Sequence, residues 1–359
     1  MIDEKNIMSD PRLAEYDWRP DDKISVYSNI YAFLYFFLAD EALQRFGDEG
    51  AKAVAAGLTN YGHFRGALLR TMHIKKGLAI NVENFGLHYD LPKDERSNAK
   101  NFMRTKTGCY SEYYSCQFSD IWKMLEGIPL NQTSRVGKLY CDYFHCAMWD
   151  GYCHGMKIEI PKMITCEDDY CIFHTSLDAC ADQDPTHGVL KEADMMDWNF
   201  DNPVSAIGNI YCIMYYNVAA AICDAFGDAG EASVRAGLLR YGHARGQMLA
   251  WRQEKDGHER NVKNFFTYYD LPGDSRTTRN RWLLTETEAE SKNFSCQMAD
   301  IWKILEGVPL DGGVTKIGSM YCQVFHPAMW EGYRSDMHVD LKQAFSYGDN
   351  CCHFYTHID

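Results

Sequence analysis

Two thirteen-residue stretches hold the residue types best suited to chemistry. "YCDYFHCAMWDGY" runs from Tyr140 to Tyr152 and "YCQVFHPAMWEGY" from Tyr321 to Tyr333. Nine of the thirteen positions are identical, and both keep a Cys and a His four residues apart. On a helix, residues four apart share a face, which would put Cys141 beside His145 and Cys322 beside His326. A thiol next to an imidazole can be an activated nucleophile or half of a metal site. Pro327 directly follows His326, and proline disfavours helix at its own position and at the one before it. The spacing therefore predicts that each helix ends near Phe144 or Phe325, with the histidine at its C-terminus. There the helix dipole favours a protonated imidazole by ~0.3–1 kcal/mol, which suits a proton donor better than a metal ligand. The alternative is packing, with the cysteine a small core residue and the histidine a cap on the last carbonyls. No C-x-x-C pair is present to complete a zinc site, so neither metal nor cofactor is expected.

Other candidates also occur twice. In "YGHFRG" and "YGHARG", Tyr61 and Arg65 share a helix face, as do Tyr241 and Arg245, with His63 and His243 between them. Gly62 and Gly66, one turn apart, open a notch that another backbone or a ligand can enter. An arginine beside such a notch suits a bidentate grip on a substrate carboxylate; the competing reading is an internal ion pair to Asp90 or Asp270. Cys116 and Cys296, each in a "SCQ" before an aromatic helix, read as strand-end thiols, nucleophilic if they face a cleft and core filling if they face inward. Cys171 and Cys352 lie inside alternating runs and read more as core. Trp149 and Trp330 complete the substrate-binding candidates.

The elements that would position these residues are themselves written twice. "AGLTNYGHFRG" (56–66) returns as "AGLLRYGHARG" (236–246), and "SCQFSDIWKMLEGIPL" (115–130) as "SCQMADIWKILEGVPL" (295–310), both at an offset of 180; after one added residue the offset is 181. The expected organisation is an N-terminal segment (1–16), a first repeat (17–178), a linker (179–196) and a second repeat (197–359), forming a pseudo-dimer within one chain. Each repeat opens with apolar helical runs, the first ended by Gly47. It continues with alternating stretches, "YYSCQFS", "MKIEIPKMI" and "DYCIFHTSL", which read as strands. The predicted class is α+β: two tandem pseudo-symmetric copies, each with helices packed on a small antiparallel sheet.

At 359 residues the chain is long enough for two domains, each with its own core. A net charge of −14 argues against a nucleic-acid partner. The apolar run at 30–39 is too short to span a bilayer, and its second copy is interrupted by Asn209 and Asn217. The charged start and the fourteen cysteines in a chain of this size read as a cytoplasmic protein with free thiols. A small molecule is the expected partner, and a further homo-oligomer stays open.

The three shared cysteines are arranged in a way that resembles the L-2-amino-thiazoline-4-carboxylate hydrolase-like family. One Cys precedes a helix ending in Gly (Cys116 with Gly127, Cys296 with Gly307), a second lies in the next helix (Cys141, Cys322), and a "C-x-F" strand closes the pattern (Cys171 with Phe173, Cys352 with Phe354). The resemblance implies hydrolytic opening of a C–N or C–S bond in a cyclic amidine-like substrate. Cys116 or Cys296, or water, would attack, His145 or His326 would donate a proton, and Arg65 or Arg245 would hold a carboxylate. An isomerase or lyase would use the same parts, and a non-catalytic sensor of small ligands is the rival class.

Overall fold

The computed structural model describes residue 4, residues 6–178 and residues 189–359; Cys180 and most of the joining segment lie outside the described residues. The first half runs α1 (Pro11–Glu15), α2 (Lys23–Lys75), α3 (Val82–Leu87), β1 (Ala99–Arg104), β2 (Gly108–Tyr113), α4 (Gln117–Glu126), α5 (Arg135–Tyr152), β3 (Met156–Lys162) and β4 (Cys171–Leu177). The second half runs α6 (Pro203–Phe226), α7 (Asp228–Lys255), α8 (Val262–Thr267), β5 (Arg279–Leu284), β6 (Glu288–Asn293), α9 (Gln297–Glu306), α10 (Lys316–Tyr333), β7 (Met337–Gln343) and β8 (Cys352–Ile358). Two antiparallel sheets result, ordered β1-β2-β4-β3 and β5-β6-β8-β7, each carrying helices. The α+β expectation holds.

Local chemistry sets the breaks. Asp22 caps α2 by accepting from the N–H groups of Ile24 and Ser25. At Gly47 the backbone turns to φ 57°, ψ −128° within the α2 run, and Gly227 takes φ 58°, ψ −130° between α6 and α7. That conformation is open to glycine and costly for residues with a Cβ.

The expected helix ends at Phe144 and Phe325 are not observed. α5 and α10 continue to Tyr152 and Tyr333, and Pro327 sits inside α10. The reason is packing. A Cβ built on Gly62 would lie 2.7 Å from the Ala147 Cβ, and one on Gly66 only 2.3 Å from the Met148 carbonyl oxygen; Gly242 and Gly246 meet Ala328 and Met329 in the same way. This backbone-to-backbone docking continues past the histidines and offsets a proline cost of ~3 kcal/mol. The glycine notches therefore receive a helix, not a ligand.

The halves meet through reciprocal contacts. Gly57 abuts Asn217 and Val218, while Gly237, 180 positions on, abuts Phe37 and Leu38. Such reciprocity is what a two-fold axis imposes. The leading segments also cross over: the Ile7 N–H donates to Gln247 Oε1 on α7 (2.9 Å), and the Leu190 N–H donates to Thr71 Oγ1 on α2 (3.0 Å). The expectation of separate cores gives way, because buried apolar residues of both halves form one continuous cluster. α2 is buried all round before its kink, which leaves no solvent face between the halves. By length and composition α6 could cross a membrane, but most of it is buried inside the protein.

Candidate active site

In each half a cavity opens between the sheet and the α5 or α10 helix. Its shared walls include Tyr89 and Tyr269, Gln117 and Gln297, His145 and His326, Trp149 and Trp330, and Phe173 and Phe354. The first cavity measures about 400 Å³ and the second about 130 Å³.

The thiols define the second cavity. β6 ends at Asn293, so Cys296 is not a strand residue; it is the N-cap of α9, as Cys116 is of α4. A helix N-terminus is where a thiolate is best tolerated. Cys322, on α10, and Cys352, at the start of β8, line the same cavity. The neighbouring Cys352 thiol holds the Cys296 pKa below its ordinary value against the opposing effect of burial, and the Cys352 pKa rises for the same reason. Cys352 is buried, as the core-filling reading expects, and in addition lines this cavity. In the first half, burial pushes Cys116 up to about 12 and Cys171 up to about 11. Burial also raises Cys141, and among the described cysteines only Cys109 lines that cavity.

Both histidines reach the cavities, but not as acids. Burial, reinforced by the charge of Arg65 or Arg245, lowers their pKa to about 3. Each Nδ1 is buried without a hydrogen-bond partner among the described residues. Four rings surround His326, those of Tyr321, Phe325, Trp330 and Phe354, at centroid distances of 5.2–6.2 Å. The expected protonated donor is therefore corrected to a neutral imidazole, because the helix end that would have favoured the cation does not exist.

The arginine motif serves the core. Arg65 donates from Nε and Nη2 to Asp90 (2.8 and 2.7 Å) and from Nη1 to Tyr61 Oη (2.9 Å), and its side chain is 2% exposed. Arg245 pairs with Asp270 at 2.9 and 2.7 Å. Arg245 touches the edge of the second cavity, but its carboxylate-binding edge is already occupied. Tyr61 and Tyr241 are fully buried in chains of hydroxyls: Tyr31 Oη lies 3.2 Å from Tyr61 Oη and 2.7 Å from Tyr140 Oη. His63 and His243 lie outside both cavities, beside Asp150 (3.6 Å) and Glu331 (3.3 Å). A helix points neighbouring residues in different directions, so a six-residue motif cannot aim all of its polar groups at one site. Trp149 and Trp330 do line the cavities, their Nε1–H groups fixed by Thr175 and Thr356 at 2.9 Å.

Sequence reasoning missed Gln117 and Gln297, whose carbonyl oxygens accept from Ser97 and Thr277 at 2.9 Å. Their signal was the third letter of the repeated "SCQ". It also missed Arg104 and Gly86, which the first half alone has. The described residues contain no group of three or more His, Cys, Asp or Glu side chains able to hold a metal ion.

An aromatic-walled cavity under an antiparallel sheet, with a thiol at a helix N-terminus, has the shape and chemistry of a small-molecule pocket. Residues 209–355 match the family model described as L-2-amino-thiazoline-4-carboxylic acid hydrolase, so this segment is similar to that family of small-molecule hydrolases. The matched segment contains Arg245, Cys296, Cys322, His326 and Cys352. No curated protein and no solved structure matches the chain.

Proposed function

We propose that the second cavity is the active site of a hydrolase that opens a C–N or C–S bond in a small cyclic amidine-like substrate. The observation that supports this reading best is the position of Cys296 at the N-terminus of α9, in a cavity it lines together with Cys322 and Cys352, inside the segment that matches the family. The Cys296 thiolate attacks the sp² carbon between nitrogen and sulfur. The ring bond to the leaving atom breaks, and that atom takes up a proton. Water then displaces the cysteine sulfur, which leaves as thiolate, so the sum is substrate plus one water. The neutral His326 orients the ring or the attacking water through its unpartnered Nδ1. At ~30 Å³ per water, a cavity of about 130 Å³ holds the equivalent of roughly four waters, which matches a small ring and excludes a large one.

The test is incubation of the reduced full chain with the aminothiazoline carboxylate and related cyclic amidines, followed by mass spectrometry. The expected product is heavier by one water, is lost in Cys296→Ser and is retained in Cys116→Ser. Loss only in Cys116→Ser would move the active site to the first half. Intact substrate throughout would overturn the hydrolase reading.

A further inference from the structure

The two cavities differ at the end formed by α3 or α8. Gly86 on α3 stands where α8 has Phe266, and beside Gly86 lies Arg104, the last residue of β1. A Cβ built on Gly86 would come within 3.1 Å of Arg104 Cζ and Nε and 3.4 Å of Nη2, so the guanidinium occupies the space that the missing side chain leaves. Arg104 Nε is buried with no hydrogen-bond partner among the described residues, and Arg104 lines the cavity. The second half carries Leu284 at that position. There Arg281, its Nε also buried without a partner among the described residues, has its Cζ 4.3 Å over the Phe266 ring and does not line the smaller cavity; Arg279 lines it, with its Nε donating to Asn293 Oδ1 (2.7 Å). A buried guanidinium N–H without an acceptor costs ~1–3 kcal/mol, a cost that an arriving acceptor removes.

We propose that the first cavity is a second ligand site, for a small aromatic carboxylate. The carboxylate takes the Nε edge of Arg104, a geometry suited to a bidentate pair. The ring lies among Phe85, Tyr89 and Trp149, which line the same cavity. A volume of about 400 Å³ falls in the ~300–1,000 Å³ range of small-molecule sites. Lys93 adds positive charge at the exposed rim. The one carboxylate that lines the first cavity, Asp94, is committed to Arg96 at 3.0 and 2.7 Å and does not oppose an anion. Because the Cys116, Cys141 and Cys171 thiols do not line this space, the site binds without the chemistry assigned to the second half, and it stands whether or not the second half is a hydrolase.

The test uses the full chain with benzoate, phenylacetate and indole-3-acetate, each beside its neutral amide, measured by isothermal titration and thermal shift. At least one acid should bind and raise Tm, with its amide weaker by roughly tenfold or more. Arg104→Gln should weaken the acid by a similar factor. Gly86→Phe, which copies the residue of the second half, should abolish binding, and Cys296→Ser should leave it unchanged. If Arg104→Gln lowers stability without ligand, Gly86→Phe and the acid–amide comparison decide. Absence of binding by all three acids, or binding that survives both variants, would overturn the proposal.

Discussion

Arg65 and Asp90 form a doubly hydrogen-bonded ion pair with each side chain 2% exposed, and Arg245 and Asp270 repeat it 180 positions on. The pair ties the helix that carries the glycine notch to the loop that follows α3. Removing one partner strands a buried charge. Asp90→Asn is therefore expected to destabilise the protein by ~3–5 kcal/mol, read from denaturant unfolding. The double variant Arg65→Met with Asp90→Leu should recover much of that loss. A change below ~1 kcal/mol in the single variant would show that the pair is solvated.

The two N-cap thiols should differ in reactivity. Cys296 has a pKa lowered by Cys352, whereas Cys116 is raised by burial to about 12. The thiolate is the reactive form, so iodoacetamide at pH 7.5 should label Cys296 well before Cys116 in a peptide map. In Cys352→Ala that lead should shrink. Equal labelling of both sites would show that Cys352 does not lower the Cys296 pKa.

Acid should destabilise the fold through its two cavity histidines. His145 and His326 take up protons only near pH 3 when folded, but near pH 6.5 when unfolded. Their contribution is complete above about pH 6.5 and is lost as pH falls from there toward 3, at up to ~1.4 kcal/mol per pH unit for each histidine. Asp120 and Asp300, raised by burial, act with the opposite sign at the acid end. The expected result is a fall in Tm between pH 7 and pH 5, flattened in the double variant His145→Gln/His326→Gln. An unchanged slope in that variant would count against buried neutral imidazoles.

The contact between the halves leaves no room for side chains at Gly57 and Gly237. A Cβ on Gly57 would sit 2.7 Å from the Val218 Cα, and one on Gly237 2.9 Å from the Phe37 carbonyl oxygen. Gly237→Leu should cost ~1–3 kcal/mol or more by overpacking. Residues 1–188 expressed alone should expose apolar core and aggregate, as size-exclusion chromatography would show. A monomeric, cooperatively folded half would demonstrate independent domains.

The sequence determined the periodic and repeated features by itself. The 180-residue offset, the first helix ended at Gly47, and the strands at 156–162 and 171–177 were all legible. So was the trio of cysteines kept in both copies, since period and recurrence are properties of the chain. The β1–β2 hairpin was not legible, because strands such as Ala99–Arg104 are largely exposed and show little apolar alternation. Nor could sequence show that α10 carries Pro327 in its interior, since the close packing on α7 that outweighs the proline comes from a distant segment.

The state of each polar group was likewise decided only by the tertiary structure. Arg65 reads as a substrate anchor until Asp90, 25 positions away, is placed against it, and His145 reads as an acid until burial makes it neutral. Identical motifs also diverged in what surrounds them: Phe266 lines the second cavity where the first has Gly86, and in that same second cavity Cys352, 56 positions from Cys296, lowers the pKa of the Cys296 thiol. Charge state and cavity volume depend on neighbours in space, and a chain read in order does not list them.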